Sequence, residues 1–289
     1  MRRDMRRFSW TALAAASFLA AGAAPLPAQE RAGAQPLPTV AIIGTGTVGS
    51  ALGPQLAKLG HPVIYGSREP GREAVRTLVA RTGPRGSAAT QQDAAARADV
   101  IVLAVPAAAL EELVTKGLGR TDGKVLVDVS TGAMRKAADG YMELVPGPSN
   151  SERVQAWAPR ARVVKVAIPG AYVIPQPMVH GVAPTVPIAA NDRAAKETVA
   201  RMIAGIGLDP FDAGPLRFSR SIDEFALLFF VPLQQGRAEG IEMKFLRSSY
   251  FPCFWPVRKQ FGAPSDSADH ATFPATGTTP RPCAAWGGR

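Results

Sequence analysis

The residues whose types and spacing could do chemistry begin at "GTGTVG", Gly44 to Gly49. They follow a β-branched run and precede a helical pattern, which is the context a phosphate-binding turn requires. Gly44 allows the tight turn, Gly46 lets a ligand approach the main chain, and Gly49 lets helix and strand pack closely. The helix that follows offers free N–H groups and a positive dipole end to an anion. That chemistry suits a dinucleotide pyrophosphate.

A second group lies at the end of the next strand, about 20 residues on, where NAD sites place a carboxylate for the ribose hydroxyls. This chain has Gly66-Ser67-Arg68 there, with Arg72 one helical turn further. A hydroxyl and a guanidinium suit a dianionic 2′-phosphate, which a carboxylate would repel. Glu69 is the one acidic residue of that stretch. The expected cofactor is NADP.

The elements that must position these groups read as follows. "TVAII" is a buried strand closed by glycine. Val48, Leu52, Leu56 and Leu59 recur at helical spacing up to Gly60, and Pro54 is expected to kink that helix. "PVIYGSR" is a second strand, and Val75, Leu78 and Val79 share one face of the next helix. The third strand is due near residues 84–89, where "PRGSAA" is a poor strand former. "TQQD" and "SNSE" open helices as capping sequences. "DVIVLAV", "KVLVDVS" and "ARVVKVA" are near-continuous apolar strands, the kind buried on both faces of a parallel sheet. Strands alternating with helices predict an α/β fold with a doubly wound, mostly parallel Rossmann-type sheet.

The 289 residues leave room for an ample core, and 46% hydrophobic content with 19% charge describes a globular chain. The net charge of +10 would fit nucleic acid, but four arginines fall in the first seven residues and the rest are interleaved with acids. No nucleic-acid-binding motif accompanies them, so nucleic acid is not expected as a partner. The basic balance instead favours anionic small ligands.

Residues 1–28 read as a signal peptide, with a basic start, an apolar run from Phe8 to Ala24 and small residues up to Ala28. The pair Arg6-Arg7 points toward the twin-arginine route. The apolar run is shorter than the ~20 residues a membrane span needs, so cleavage and an exported or periplasmic protein with no stable span are expected. Residues 29–38 form a short linker, residues 39–246 the NADP-binding domain, and residues 247–289 a tail expected to be largely disordered. Both cysteines, Cys253 and Cys283, lie in that tail, where an oxidising compartment would let them pair.

Over residues 39–246 the chain resembles the NADPH-dependent F420 reductases, the F420-dependent NADP oxidoreductase family. The likeness rests on "IIGTGTVG", "IYGSR", "ADVIVLAVP", "VVKVAIPGAYV", "DAGPLRFSRSIDE" and "GIEMKFL". It implies that Thr45, Gly46, Thr47 and Val48 hold the pyrophosphate and that Ser67, Arg68 and Arg72 hold the 2′-phosphate. By the same resemblance Ala104, Val105 and Pro106 border the adenosine–ribose path. Gly170 and Ala171 would lie by the nicotinamide, with Ile168 and Pro169 toward the acceptor. A short C-terminal helical part, a homodimer, and coenzyme F420 or a flavin-like hydride acceptor are further implications.

No catalytic acid–base residue stands out. His61, His180 and His270 occupy unrelated positions, and with two cysteines they make no metal-ligand spacing. Direct hydride transfer between two bound cofactors needs positioning more than proton chemistry. "VDVSTGA" is also similar to the β-hydroxyacid dehydrogenases, but Lys196 and Lys244 lack an asparagine four residues on. A non-catalytic NADP-binding or sensing protein is the remaining alternative.

Overall fold

In a computed structural model, the structure describes residues 36–168, 170–237 and 240–246. The expected signal peptide, most of the linker, the tail with both cysteines, and His270 lie outside these residues. The fold belongs to the second of two compact units, Leu37–Arg289, the first being Met1–Pro36.

Six strands form the parallel part of one sheet: β1 (Val40–Ile43), β2 (Val63–Gly66), β3 (Gly86–Ala89), β4 (Val100–Leu103), β5 (Val125–Asp128) and β8 (Arg162–Val166). Their spatial order is β3-β2-β1-β4-β5-β8, so the direction of winding reverses between β1 and β4. This is the dinucleotide-binding order, and ligands settle at such a reversal outside the C-terminal strand ends. Two further strands, β9 (Thr185–Ala190) and β10 (Asp209–Asp212), extend the sheet beyond β8, β9 running antiparallel to it. A small antiparallel hairpin, β6 (Met134–Lys136) and β7 (Met142–Leu144), stands apart.

Alternation along β1 shows why these strands are apolar throughout. Val40 and Ile42 pack with Leu52 and Leu56 of α1 (Thr47–Lys58) and with Val199 and Met202 of α6 (Arg193–Gly205). Ala41 and Ile43 face Ala94 of α3 (Gln91–Arg97), Leu110 of α4 (Leu110–Glu112) and Val154 of α5 (Asn150–Trp157). Both faces of the sheet are covered, as the sequence required. The C-terminal part consists of α7 (Ser219–Leu227) and α8 (Val231–Gln234). The remaining helix, α2 (Glu73–Thr82), lies against β3.

Pro54 does not interrupt α1, which runs through it. A proline there removes the N–H that would meet the carbonyl four residues back, that of Ser50. The Arg81 guanidinium takes that place, donating to the Ser50 carbonyl at 2.7 Å. The poor strand former at 84–89 does become β3, held by parallel pairing with β2. Thr90 caps α3 through the Asp93 amide, and Ser149 with Glu152 forms a reciprocal capping box on α5.

Candidate functional site

At the C-terminal ends of β1, β2 and β4 a cleft of about 600 Å³ opens. Gly44, Thr45 and Gly46 line one wall, Ser67, Arg68 and Arg72 another, and Ala104, Val105 and Pro106 a third. In the sequence these nine residues span 62 positions, Gly44 to Pro106; the sheet reversal collects them into one depression.

The phosphate loop has the shape its glycines demand. Gly44 sits at φ +108°, and a Cβ there would lie 2.2 Å from the Ala104 carbonyl oxygen. A Cβ on Gly49 would lie 2.1 Å from the Gly44 carbonyl oxygen, so helix and turn touch. Gly46 differs: a Cβ there would meet nothing within 4 Å. Open space therefore stands over the main chain where α1 begins. Gly46 is also the N-cap of α1, with no side-chain cap and no acidic residue in the first turn. The helix's first amides are left for an anion.

Arg72 crosses from the 2′-phosphate wall to the loop, its Nη2 donating to Thr45 Oγ1 at 3.2 Å. Arg68 and Glu69 are exposed beside it, and the Glu69 amide donates to Ser67 Oγ at 3.2 Å. Six cleft residues escaped the sequence reading: Gln91, at the start of α3, Ala109 and Glu112, and Leu113, Lys116 and Gly117 in a π-helical turn, Leu113–Gly117. Their signal was only positional, since nothing in "QQD" or "VTKG" marks a ligand. The residues present fit a phosphorylated dinucleotide: a bare helix N-terminus, an open loop and basic side chains on one rim.

Thr47, Val48 and Gly49 belong to the first turn of α1 behind the loop and do not line the cleft. Ile168 and Ala171 are half-buried against the core cluster on the α1 side, away from the cleft lining. Pro169 lies outside the described residues, and Gly170 caps the short turn Ala171–Val173. Beside them Tyr172, 55% exposed, donates its hydroxyl to Glu242. Burial of the hydroxyl and the Glu242 carboxylate push Tyr172 up to about 12. His61 is buried with Nδ1 against the Pro38 carbonyl, and His180 is exposed in a loop at φ +49°. Among the described residues no cluster of His, Cys, Asp and Glu could hold a metal ion.

A buried polar group was missed altogether. Lys165 of β8, 1% exposed, sits in register with Asp128 at the end of β5. Its Nζ donates to Asp223 Oδ1 of α7 at 2.7 Å and to the Ser130 carbonyl at 2.6 Å. Burial raises the Asp223 carboxyl above the usual aspartate range, with Lys165 opposing and Asp128 adding to the shift. The sequence did signal it, as single charges in "VLVDV" and "VVKVA", strands read there as apolar.

Residues 39–132 match the family described as NADP oxidoreductase, coenzyme F420-dependent. Among solved structures, a candidate F420-dependent NADP-reductase from Arthrobacter sp. FB24 is 29% identical, with a TM-score of 0.62, covering 73% of this chain and 100% of its own. A reductive aminase from Aspergillus terreus, solved with NADPH, is 22% identical at a TM-score of 0.51 and covers 69% of this chain and 63% of its own. That likeness shows the fold alone. Among curated proteins, the glycerol-3-phosphate dehydrogenase [NAD(P)+] of Chlorobium phaeobacteroides is 28% identical over 167 residues, 49% of this chain. The chain spans about half of that relative's length.

Proposed function

We propose that this member of the coenzyme F420-dependent NADP oxidoreductase family, matched through residues 39–132, moves a hydride between NADPH and a deazaflavin or flavin-like acceptor. One observation carries the nucleotide half of this reading: Ser67, Arg68 and Arg72 share one cleft with the phosphate loop. A guanidinium pair on that rim favours a dianionic phosphate over bare ribose hydroxyls. NADPH, when bound, supplies the hydride. The chain's own residues bind and orient: α1 presents its amides to the pyrophosphate, Arg68 and Arg72 hold the 2′-phosphate, and Ala104 to Pro106 flank the adenosine.

The acceptor half rests on the family match. The β-hydroxyacid alternative fares worse, because both candidate lysines are engaged elsewhere. Lys196 Nζ meets Asp212 Oδ1 at 2.7 Å, and Lys244 Nζ meets Asp209 Oδ2 at 2.6 Å, at the β9–β10 edge. Stopped-flow oxidation of NADPH with F420, FMN and small ketones tests the proposal. Reduction of the deazaflavin supports it; reaction of ketones or hydroxyacids alone would favour the dehydrogenase. Binding of NADPH with no turnover of any acceptor would favour a sensing protein.

A further inference from the structure

We infer that the buried Lys165–Asp223–Asp128 cluster positions the floor beneath the ring half of the dinucleotide, and this rests on the nucleotide reading above. The cleft covers the C-terminal ends of β2, β1 and β4, which suits the adenosine and pyrophosphate. The next strand ends along that same edge are those of β5 and β8. The rest of a dinucleotide entering along this edge therefore meets the loop after β5, residues 129–133.

The cluster ties that loop down. Asp128 Oδ1 accepts from the Ser130 amide at 2.9 Å, and Asp128 Oδ2 accepts from Ser151 Oγ at 2.6 Å. Lys165 donates to the Ser130 carbonyl, so both main-chain groups of Ser130 are taken. Asn150 Nδ2 donates to Ser130 Oγ at 3.0 Å and to the Thr131 carbonyl at 2.8 Å. Asp223 reaches in from α7, and a Cβ at Gly132 would lie 3.1 Å from its Oδ2. That oxygen is buried and, among the described residues, makes no well-aligned hydrogen bond, with only the Gly132 main chain beside it. The cluster thus holds one cation against two carboxylates, with one oxygen unmatched. A buried polar group kept at such cost is better explained by fixing a conformation than by stability.

None of these residues lines the adenosine cleft, so the two halves of the site can be separated by experiment. The triple variant Asp128→Asn/Lys165→Met/Asp223→Leu removes the cation and both carboxylates together, leaving no buried charge unmatched, and such whole replacements often fold as well as the parent. Binding of NADPH and of 2′,5′-ADP, which carries only the adenosine half, is measured by calorimetry for wild type and variant. NADPH affinity is expected to fall about tenfold while 2′,5′-ADP stays within about twofold. Asp223→Asn, which keeps an acceptor for Lys165, is expected to retain NADPH binding. Equal losses of both ligands, or no loss of either, would overturn the inference and leave the nucleotide reading intact. A wild-type protein that binds neither ligand would overturn both.

Discussion

Arg72 Nη2 lies 3.2 Å from Thr45 Oγ1, so a residue of the 2′-phosphate wall is hydrogen-bonded to the phosphate loop. In the proposed reading one guanidinium thereby serves both anion subsites. Arg72→Ala should weaken NADPH binding about tenfold, the loss of one charge-assisted bond. NADH should weaken too, by a smaller factor, because Thr45 loses the partner that holds the loop. Fluorescence titration with both cofactors checks this; an NADH loss equal to that of NADPH would assign Arg72 to the loop alone.

Arg68 is exposed on the same wall, and in the proposed reading its side chain serves the 2′-phosphate alone. Arg68→Ala should lower NADPH affinity about 10- to 100-fold, the worth of a bond to a charged group. NADH affinity should be almost unchanged, and Ser67→Ala should act in the same direction more weakly. The same titrations decide it, and equal affinities of the wild type for the two cofactors would refute the reading of this wall.

The glycines of the loop make a sharper contrast. Gly46→Ala introduces a methyl into open space, so melting temperature should hold while NADPH affinity falls, the methyl occupying ligand volume. Gly49→Ala drives a methyl against the Gly44 carbonyl and should lower the melting temperature itself. Calorimetric melts with and without NADPH separate the two. A stable, NADPH-binding Gly46→Ala protein would remove the pyrophosphate from this loop.

The Ser50 carbonyl offers a stability test away from the ligand. Arg81→Ala should cost about 1 kcal/mol, as one hydrogen bond is lost. In a Pro54→Ala background the restored amide can take the carbonyl, and Arg81→Ala should then be close to neutral. Urea unfolding of the four proteins gives the coupling directly. Additive losses would mean that Arg81 acts through something other than that carbonyl.

Two carboxylates, Glu152 of α5 held by Arg220 of α7 and Asp223 of α7 itself, respond to pH with opposite sign. Glu152 is held below its ordinary 4.5 by Arg220, so its contribution is present above that value and lost as pH falls through the lowered one. Asp223 is raised above 3.8 by burial, with Asp128 adding and Lys165 opposing. There the unfolded chain releases its proton first, so this contribution is greatest in acid and fades as pH climbs toward the folded value. Relative to Asp223→Asn, the wild type should lose melting temperature as pH rises from about 4 toward neutrality. A parallel pair of melting curves would show that Asp223 titrates normally.

Much of this was legible in the sequence because local rules and the global fold agree. "VAIIGTGTVG" announced a strand, a turn and a helix, and Ser149 and Thr90 announced caps that the structure contains. β3 was harder, since "GSAA" is a strand only by virtue of its neighbour β2. β9 and β10 each carry a proline, Pro187 and Pro210, a residue that argues against a paired strand, and β10, "DPFD", lacks the apolar run that marked the parallel strands. Pro54 misled because its remedy, Arg81, lies 27 residues away. Lys165 was hidden for a similar reason: its partners come from β5, a loop and α7, and none is near it in the chain.

The last described segment has a practical consequence. Phe245 is packed edge-on to Phe211 and Phe225 at 5.2 and 5.3 Å, and its amide donates to Thr185 Oγ1. Lys244 is clamped to Asp209, and the Met243 carbonyl accepts from the Thr185 amide. The chain is thereby moored at the β9–β10 margin, five strand intervals from β1, or roughly 24 Å at the usual interstrand spacing. A reporter dye attached just after Leu246 would start from that mooring, on the sheet edge that also carries the cleft but displaced along it from the cleft lining, so cofactor could be titrated by a label near the site that is not part of it.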